Sequence, residues 1–243
     1  MREVFTRVED ENSFSIEVDV DAGEFKNDNS WLFSVFVKYD GLEASGDGYE
    51  EFLETKESLI IAIEYEDKAH YLGSRVVDGW SEFYFCASSA KELSPMVTSI
   101  LKDTGYVYES NIIKDKKWNF FELQLFPTEL EFVHIQSDKI IFLLEEEGED
   151  LSISRDVEHY ISFLTPTQKN KFLNTLDVDG FSFKDDISTE EFEHGVALVK
   201  NHIVTHEAVK DILNELYLKI KENQGYYEGW STTLVNDEED EEA

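Results

Sequence analysis

The sequence predicts an α+β protein of two domains, each an antiparallel sheet with helices on one face. Three observations predict it. A chain of 243 residues is long for one domain and ordinary for two. Stretches in which apolar and polar residues alternate are interspersed with stretches whose apolar residues recur at helical spacing. In the second half these follow in the order β-α-β-β-α-β, the split arrangement in which two helices pack on one face of a four-stranded sheet.

In the first half, Phe14, Ile16, Val18 and Val20 alternate with Ser15, Glu17 and Asp19, which predicts a strand, and residues 31–39 predict a second. Phe52, Leu59, Ile60 and Ile63 recur at helical spacing among Glu and Lys, so residues 49–63 form an amphipathic helix. Asp78-Gly79 separates the apolar runs 71–77 and 80–86, and Asp-Gly adopts the positive φ angles of a two-residue hairpin turn. Ser94-Pro95 predicts a cap followed by proline at the first helical position, with Val97, Ile100 and Leu101 as the apolar stripe and Gly105 as the stop. Aromatic-rich strands are expected over 106–113 and 118–126. Residues 31–113 thus give the same β-α-β-β-α-β order, with strands added at both ends.

Leu130, Val133, Ile140, Ile141 and Leu144 predict a helix from Thr128 to about Gly148. We take it as a connector, followed by a polar linker over 149–156. Residues 157–164 form a strand, and Thr165-Pro166-Thr167-Gln168 offers a capping box to the helix that ends near Leu176. A short strand follows at 181–183 and a longer one at 195–204, then a helix capped by Thr205 that carries Val209, Ile212, Leu213, Leu216 and Ile220 and stops near Gly225. A last strand occupies 226–235. Six consecutive acids near the end, Asp237 to Glu242, cannot be buried together and predict a solvated tail.

With 54 acidic and 21 basic residues, the formal net charge is −33. A field of that sign repels nucleic acid, whose binding depends on Lys and Arg displacing counterions, and favours encounter with basic proteins. Acidity also keeps a protein soluble, which is the plainer reading. Cys86 is the only cysteine, so no internal disulfide is possible, and within Phe83-Tyr84-Phe85-Cys86 it reads as a buried thiol. No signal-peptide pattern opens the sequence, and no apolar run reaches the roughly 20 residues of a membrane span, so the expected location is cytoplasmic.

No catalytic, metal or cofactor motif stands out. His202 and His206 have i, i+4 spacing but straddle a strand end and the Thr205 cap, where helical geometry does not apply. His159 is in phase with Val157 and Ile161, which predicts a hydrogen-bonded, partly buried histidine. Asp19-Val20-Asp21-Ala22-Gly23 and Asp177-Val178-Asp179-Gly180 lack the further ligands of a calcium loop and read as turns. Gly46-Asp47-Gly48 lacks the third glycine of a dinucleotide fingerprint.

Tyr226, Tyr227 and Trp230 are different, because large aromatics with a polar edge often carry protein-binding energy. Regular alternation puts Tyr226, Glu228 and Trp230 on one face and Tyr227 and Gly229 on the other, with one set in the core.

The run from Arg155 through His159 to Phe163, the aromatic strand after Gly180, the strand from Val196 to His202 and the close Gly225-Tyr226-Tyr227-Glu228-Gly229-Trp230 before an acidic tail resemble the RraB family. The resemblance implies a bacterial protein with a ferredoxin-like domain that binds and restrains a ribonuclease, ribonuclease E in the characterised case. Trp31 with the strand from Val35 to Tyr39, the Asp78-Gly79 hairpin ending in Tyr84, and Asp115-Lys116-Lys117-Trp118 before Leu125-Phe126-Pro127 are similar to the domain-of-unknown-function family six-nine-five. That family occurs joined to an RraB-like domain in this order.

The expected organisation is an uncharacterised α+β domain over 1–127, a connector and linker over 128–153, an RraB-like domain over 154–235 and a tail over 236–243. The expected function is that of a non-catalytic inhibitor of a basic protein, a ribonuclease or RNA-processing assembly. It would bind through Tyr226, Tyr227, Glu228, Trp230, Asp237, Glu238 and Glu239, with no direct nucleic-acid contact, no membrane and no cofactor. The alternatives are an immunity-type inhibitor of a nuclease toxin and an uncharacterised hydrolase.

Overall fold

A computed structural model describes residues 1–39, 47–174, 176, 180–189 and 193–235. They form an α+β structure of two compact units that divide after Phe126, each with one antiparallel sheet. No helix among the described residues is long and apolar enough to cross a membrane.

The first unit runs β1 (Arg2–Glu9), β2 (Asn12–Asp19), β3 (Trp31–Lys38), α1 (Asp47–Glu64), β4 (His70–Val77), β5 (Trp80–Ala87), α2 (Leu93–Leu101) and β6 (Val107–Lys114). Its six strands lie in the order β1-β2-β4-β5-β3-β6. Asp78 and Gly79 both have positive φ, 50° and 73°, and close the β4–β5 hairpin as their chemistry predicts. On one face Phe33, Val35 and Val37 pack with Leu59, Ile60 and Ile63 of α1 and with Leu93, Val97 and Leu101 of α2. On the other face Ile16, Val18, Leu32, Leu72 and Tyr84 are covered by Trp118, Phe121 and Leu125. Helical structure therefore covers both faces of this sheet, where one was expected.

Three local expectations are corrected. Residues 118–126 form no strand: Trp118 reverses the chain at φ 58°, and the chain then coils into a wide helical turn of π type over Phe121–Leu125. The Asp115 carboxylate starts that turn by accepting the N–H groups of Asn119 and Phe120 at 3.1 and 3.0 Å. α2 begins at Leu93, after Glu92 at φ 70°, so Ser94 lies inside the helix and does not cap it. The edge strand β1 has no counterpart in the sequence reading.

The second unit runs α3 (Glu129–Glu146), β7 (Arg155–Phe163), α4 (Pro166–Leu173), β8 (Ser182–Ile187), β9 (His194–His202), α5 (His206–Glu222) and β10 (Gly225–Thr232). Strand order is β10-β7-β9-β8, so β7 and β8, joined through α4, are separated by β9. Thr128, Thr165 and Thr205 each cap a helix by accepting a backbone N–H three residues on. At α4 the Gln168 side chain turns to Gln224 and to the Thr165 hydroxyl, so the reciprocal half of the expected capping box is not made there.

Val157 and Ile161 of β7 and Val196 and Leu198 of β9 lie under Phe172 of α4 and Val209, Leu213, Leu216 and Ile220 of α5. α3 adds Val133, Ile141 and Leu144 to the same core. The loop before β7 is locked by a buried ion pair between Arg155 and Glu149. Glu149 also accepts the N–H of Val235, which ties the segment that follows the last strand to that loop.

Candidate partner-binding surface

β10 carries the aromatic residues singled out in the sequence. α5 ends at Glu222, and Gln224 at φ 59° turns the chain into the strand. Gly225 fits because a Cβ there would stand 2.5 Å from Cε1 of Phe163 on the neighbouring strand. Tyr226 then lies opposite Ser162 and Tyr227 opposite Ile161.

A bulge follows. Gly229 pairs with Tyr160, so Glu228 is the extra residue, and Trp230 falls opposite His159. One inserted residue exchanges faces for everything beyond it. The expected grouping of Trp230 with Tyr226 and Glu228 is thereby overturned: Trp230 shares the helix-covered face with Tyr227. Trp230 is 4% exposed, among Val133, Ile141, Leu144 and Val209, whereas Tyr226 is 45% exposed on the opposite face.

That opposite face is covered by no helix of this unit among the described residues. Its β7 positions are Glu158, Tyr160 and Ser162. The Tyr160 hydroxyl meets Ser231 Oγ at 2.7 Å, Lys184 pairs with Glu158, and the Ser162 hydroxyl donates to Glu228. A groove of about 470 Å³ opens here between Ser162, Leu164, Glu193, His194, Tyr226 and Glu228. Leu164 is 69% exposed. Lys221 Nζ already stands 4.8 Å from the centre of the Tyr226 ring. An exposed ring beside two carboxylates suits a guanidinium or ammonium group, which can lie over the ring and pair with an acid.

Beneath the bulge runs a buried polar chain. Tyr227 Oη lies 2.9 Å from His159 Nδ1, His159 Nε2 lies 3.3 Å from His202 Nε2, and His202 Nδ1 lies 2.7 Å from the carbonyl of Ile203. One proton arrangement satisfies it: His202 donates to the carbonyl, His159 donates to His202, and the Tyr227 hydroxyl donates to His159. Both histidines are then neutral. Burial drives His159 down to about 3, helped by His202 and Lys200, and burial also lowers His202. Burial raises the Tyr227 hydroxyl well above its ordinary value. His159 was expected to be partly buried; it is fully buried and out of reach of a substrate.

His202 thus points to His159, while His206 meets Asp138 at 2.7 Å, and the two do not converge. No group of three or more His, Cys, Asp or Glu able to hold a metal occurs among the described residues. Cys86 is buried, and burial pushes its thiol up to about 12. Asp21 precedes a short helical turn over Ala22–Phe25. Gly48 lies in the first turn of α1. The Asp177–Asp179 segment and the tail acids Asp237, Glu238 and Glu239 lie outside the described residues.

The sequence reading missed Tyr160, Ser162, Glu193 and His194. The signal for the first two was present in β7, where the residues out of phase with Val157 and Ile161 are all polar or amphipathic.

Residues 3–126 match the model described as Family of unknown function (DUF695), and residues 134–232 match the model of RraB, Regulator of ribonuclease activity B. Comparison with curated proteins and with solved structures gives no match.

Proposed function

We propose that the chain, which belongs to the DUF695 family of unknown function and joins to it a domain matching RraB, is an acidic regulatory protein with no catalysis of its own. It binds a basic protein, a ribonuclease or an RNA-processing assembly, and inhibits it by occupying the cationic surface that RNA would use. The observation that carries this reading is the placement of Tyr226 and Glu228 side by side at a bulge, over a groove on a sheet face that no helix of its unit covers among the described residues. The net charge of −33 supports it, since long-range attraction sets the encounter rate and aromatic contacts the specificity.

Domain limits belong to the same proposal. Residues 1–127 form one domain and 154–235 a ferredoxin-like regulator domain, to which the helix within 128–153 is fastened through Val133, Ile141 and Leu144. The acids Asp237, Glu238 and Glu239 extend the acidic surface. Tyr227 and Trp230 contribute from the covered face, by holding the bulge.

The test is an RNA-cleavage assay with the host's ribonuclease E, or its principal endoribonuclease, titrated with the purified chain at several salt concentrations. Inhibition that weakens with salt and is lost in Glu228→Lys is expected. Absence of salt-sensitive association with every ribonuclease of the host would end the proposal.

A further inference from the structure

The first sheet ends at β6, which pairs with β3 along its whole length, from Val107 opposite Lys38 to Lys114 opposite Trp31, with no register shift. No strand among the described residues pairs with its other side. Every second residue there turns a backbone N–H and C=O outward, in a row that another strand can complete.

The other three sheet edges carry features that discourage such pairing. β1 turns Glu3 and Arg7 toward the covered face. β10 is bulged at Glu228, and β8 is irregular between Phe183 and Asp185 and places Lys184, Asp185 and Asp186 in succession. β6 has neither bulge nor proline, and its two charges, Glu109 and Lys114, cancel within a chain of net charge −33. Two large apolar residues stand exposed on it, Val107 at 61% and Ile113 at 49%.

The sequence of β6 selects what fits against it. In antiparallel pairing with a second copy, a two-fold axis perpendicular to the sheet keeps each face on its own side, so residues an even number apart oppose one another. With the axis at Ser110, Val107 faces Ile113 of the second copy, Tyr108 faces Ile112 and Glu109 faces Asn111, and each pair occurs twice. Tyr108 and Ile112 already pack on the core beneath α1 and α2, which the second copy would extend across the axis. Moving the axis to Asn111 sets Val107 against Asp115 and Glu109 against Ile113, and moving it to Glu109 sets two carboxylates face to face. The Ser110 register alone matches apolar residues with apolar ones, the cross-strand pairing that stabilises sheets.

We infer that the first unit pairs with a second copy of this chain, β6 against β6 and antiparallel about Ser110, joining two six-stranded sheets into one continuous sheet. The inference goes beyond the proposed ribonuclease binding and does not depend on it. One strand pair is a small interface, below about 1,200 Å², for which association in the micromolar range is expected. Each copy carries the same large negative charge, and the two Glu109 carboxylates approach diagonally, roughly 7–8 Å apart across the pair. Salt screens both repulsions, so the dimer tightens as salt rises, opposite to the binding of a basic protein.

The test is sedimentation equilibrium of the full chain over a range of concentrations at low and high salt. A monomer–dimer equilibrium that shifts toward dimer at high salt is expected. Val107→Lys and Ile113→Glu, both at exposed positions, should each weaken the dimer roughly tenfold and leave the unfolding temperature unchanged. The double variant should recover most of that loss, because the new ammonium group of each copy then faces the new carboxylate of the other.

A chain that stays monomeric at high salt and high concentration would overturn the pairing. So would a dimer indifferent to Val107→Lys, which would lie on another surface, or a double variant no tighter than the single ones. If the chain were monomeric and Val107→Lys relieved inhibition of the ribonuclease, a strand of that enzyme would occupy the edge in place of a second copy, and the inference would fall.

Discussion

Within its own unit and among the described residues, the first sheet has packed side chains on both faces, and the second on one. In the first unit α1 and α2 cover one side, while the segment from Trp118 to Leu125 covers the other. In the second unit α3, α4 and α5 all lie over the same side, and the opposite side keeps Glu158, Tyr160, Tyr226 and Glu228 with hydrogen bonds and ion pairs among themselves and their neighbours. A sheet buried on both faces has little left but its edges for recognition. A sheet buried on one face can spend the other on a partner, which is where the exposed tyrosine and the groove are found.

The comparison can be broken most directly at Phe121, which is 4% exposed in the second core of the first unit. Phe121→Ala should cost about 3–5 kcal/mol, as for other buried aromatic truncations, read by denaturant unfolding with a probe in residues 1–126. A loss below about 1 kcal/mol would mean that this face is not a core.

Acid should act on the second unit more than on the first, since five of the six histidines follow residue 126. His159 is lowered to about 3 in the fold, below its ordinary 6.5. The unfolded chain therefore binds the extra proton first, and the stability due to the neutral histidine is present above pH 6.5 and lost as pH falls toward 3. The loss should be about 2 kcal/mol at pH 5 and roughly 4 kcal/mol near pH 3. Amide exchange at pH 7 and pH 5, compared between the two units, checks it. Equal loss of protection in both would remove the histidine chain as the cause.

Gly225→Ala sharpens the role of β10. The new Cβ would overlap the Phe163 ring, so a cost of about 1–3 kcal/mol is expected in thermal unfolding. The smallest change in stability should come from Tyr226→Ala on the uncovered face, within about 0.5 kcal/mol. That variant should nevertheless inhibit the ribonuclease at least tenfold less well, as loss of an interface tyrosine commonly does. If its inhibition were unchanged, the uncovered face would not be the binding face.

Much of the fold is legible in the sequence because its signals are local. Asp78-Gly79 has the φ angles its chemistry permits, Thr165 and Thr205 cap the helices they precede, and β7 alternates from Arg155 to Ile161. β1 is illegible for a physical reason. Its covered face carries Glu3, Phe5 and Arg7, while Val4 and Val8 face outward at 63% and 69% exposure. That inversion is stable because Arg7 donates to the carbonyls of Gln124 and Phe126, 3.0 and 2.9 Å away, at the end of the helical turn above it. No residue within β1 announces those partners. The segment from Trp118 to Phe126 misleads in the other direction: its aromatic spacing reads as a strand, and a carboxylate three residues before it sets a helical turn instead.

By itself, the sequence determined the α+β class, the order of elements in the second half, the acidity that favours a basic partner, and the aromatic close that carries the family resemblance. These follow from periodicity, turn chemistry and charge, each read within a few residues. Only the tertiary structure decided which of the three aromatic residues in that close faces outward. A single extra residue in β10 reverses the phase between Tyr227 and Gly229, sending Trp230 into the core and leaving Tyr226 exposed. The bulge depends on how β10 pairs with β7, and the partner strand lies some seventy residues away in the sequence, beyond the reach of any local pattern.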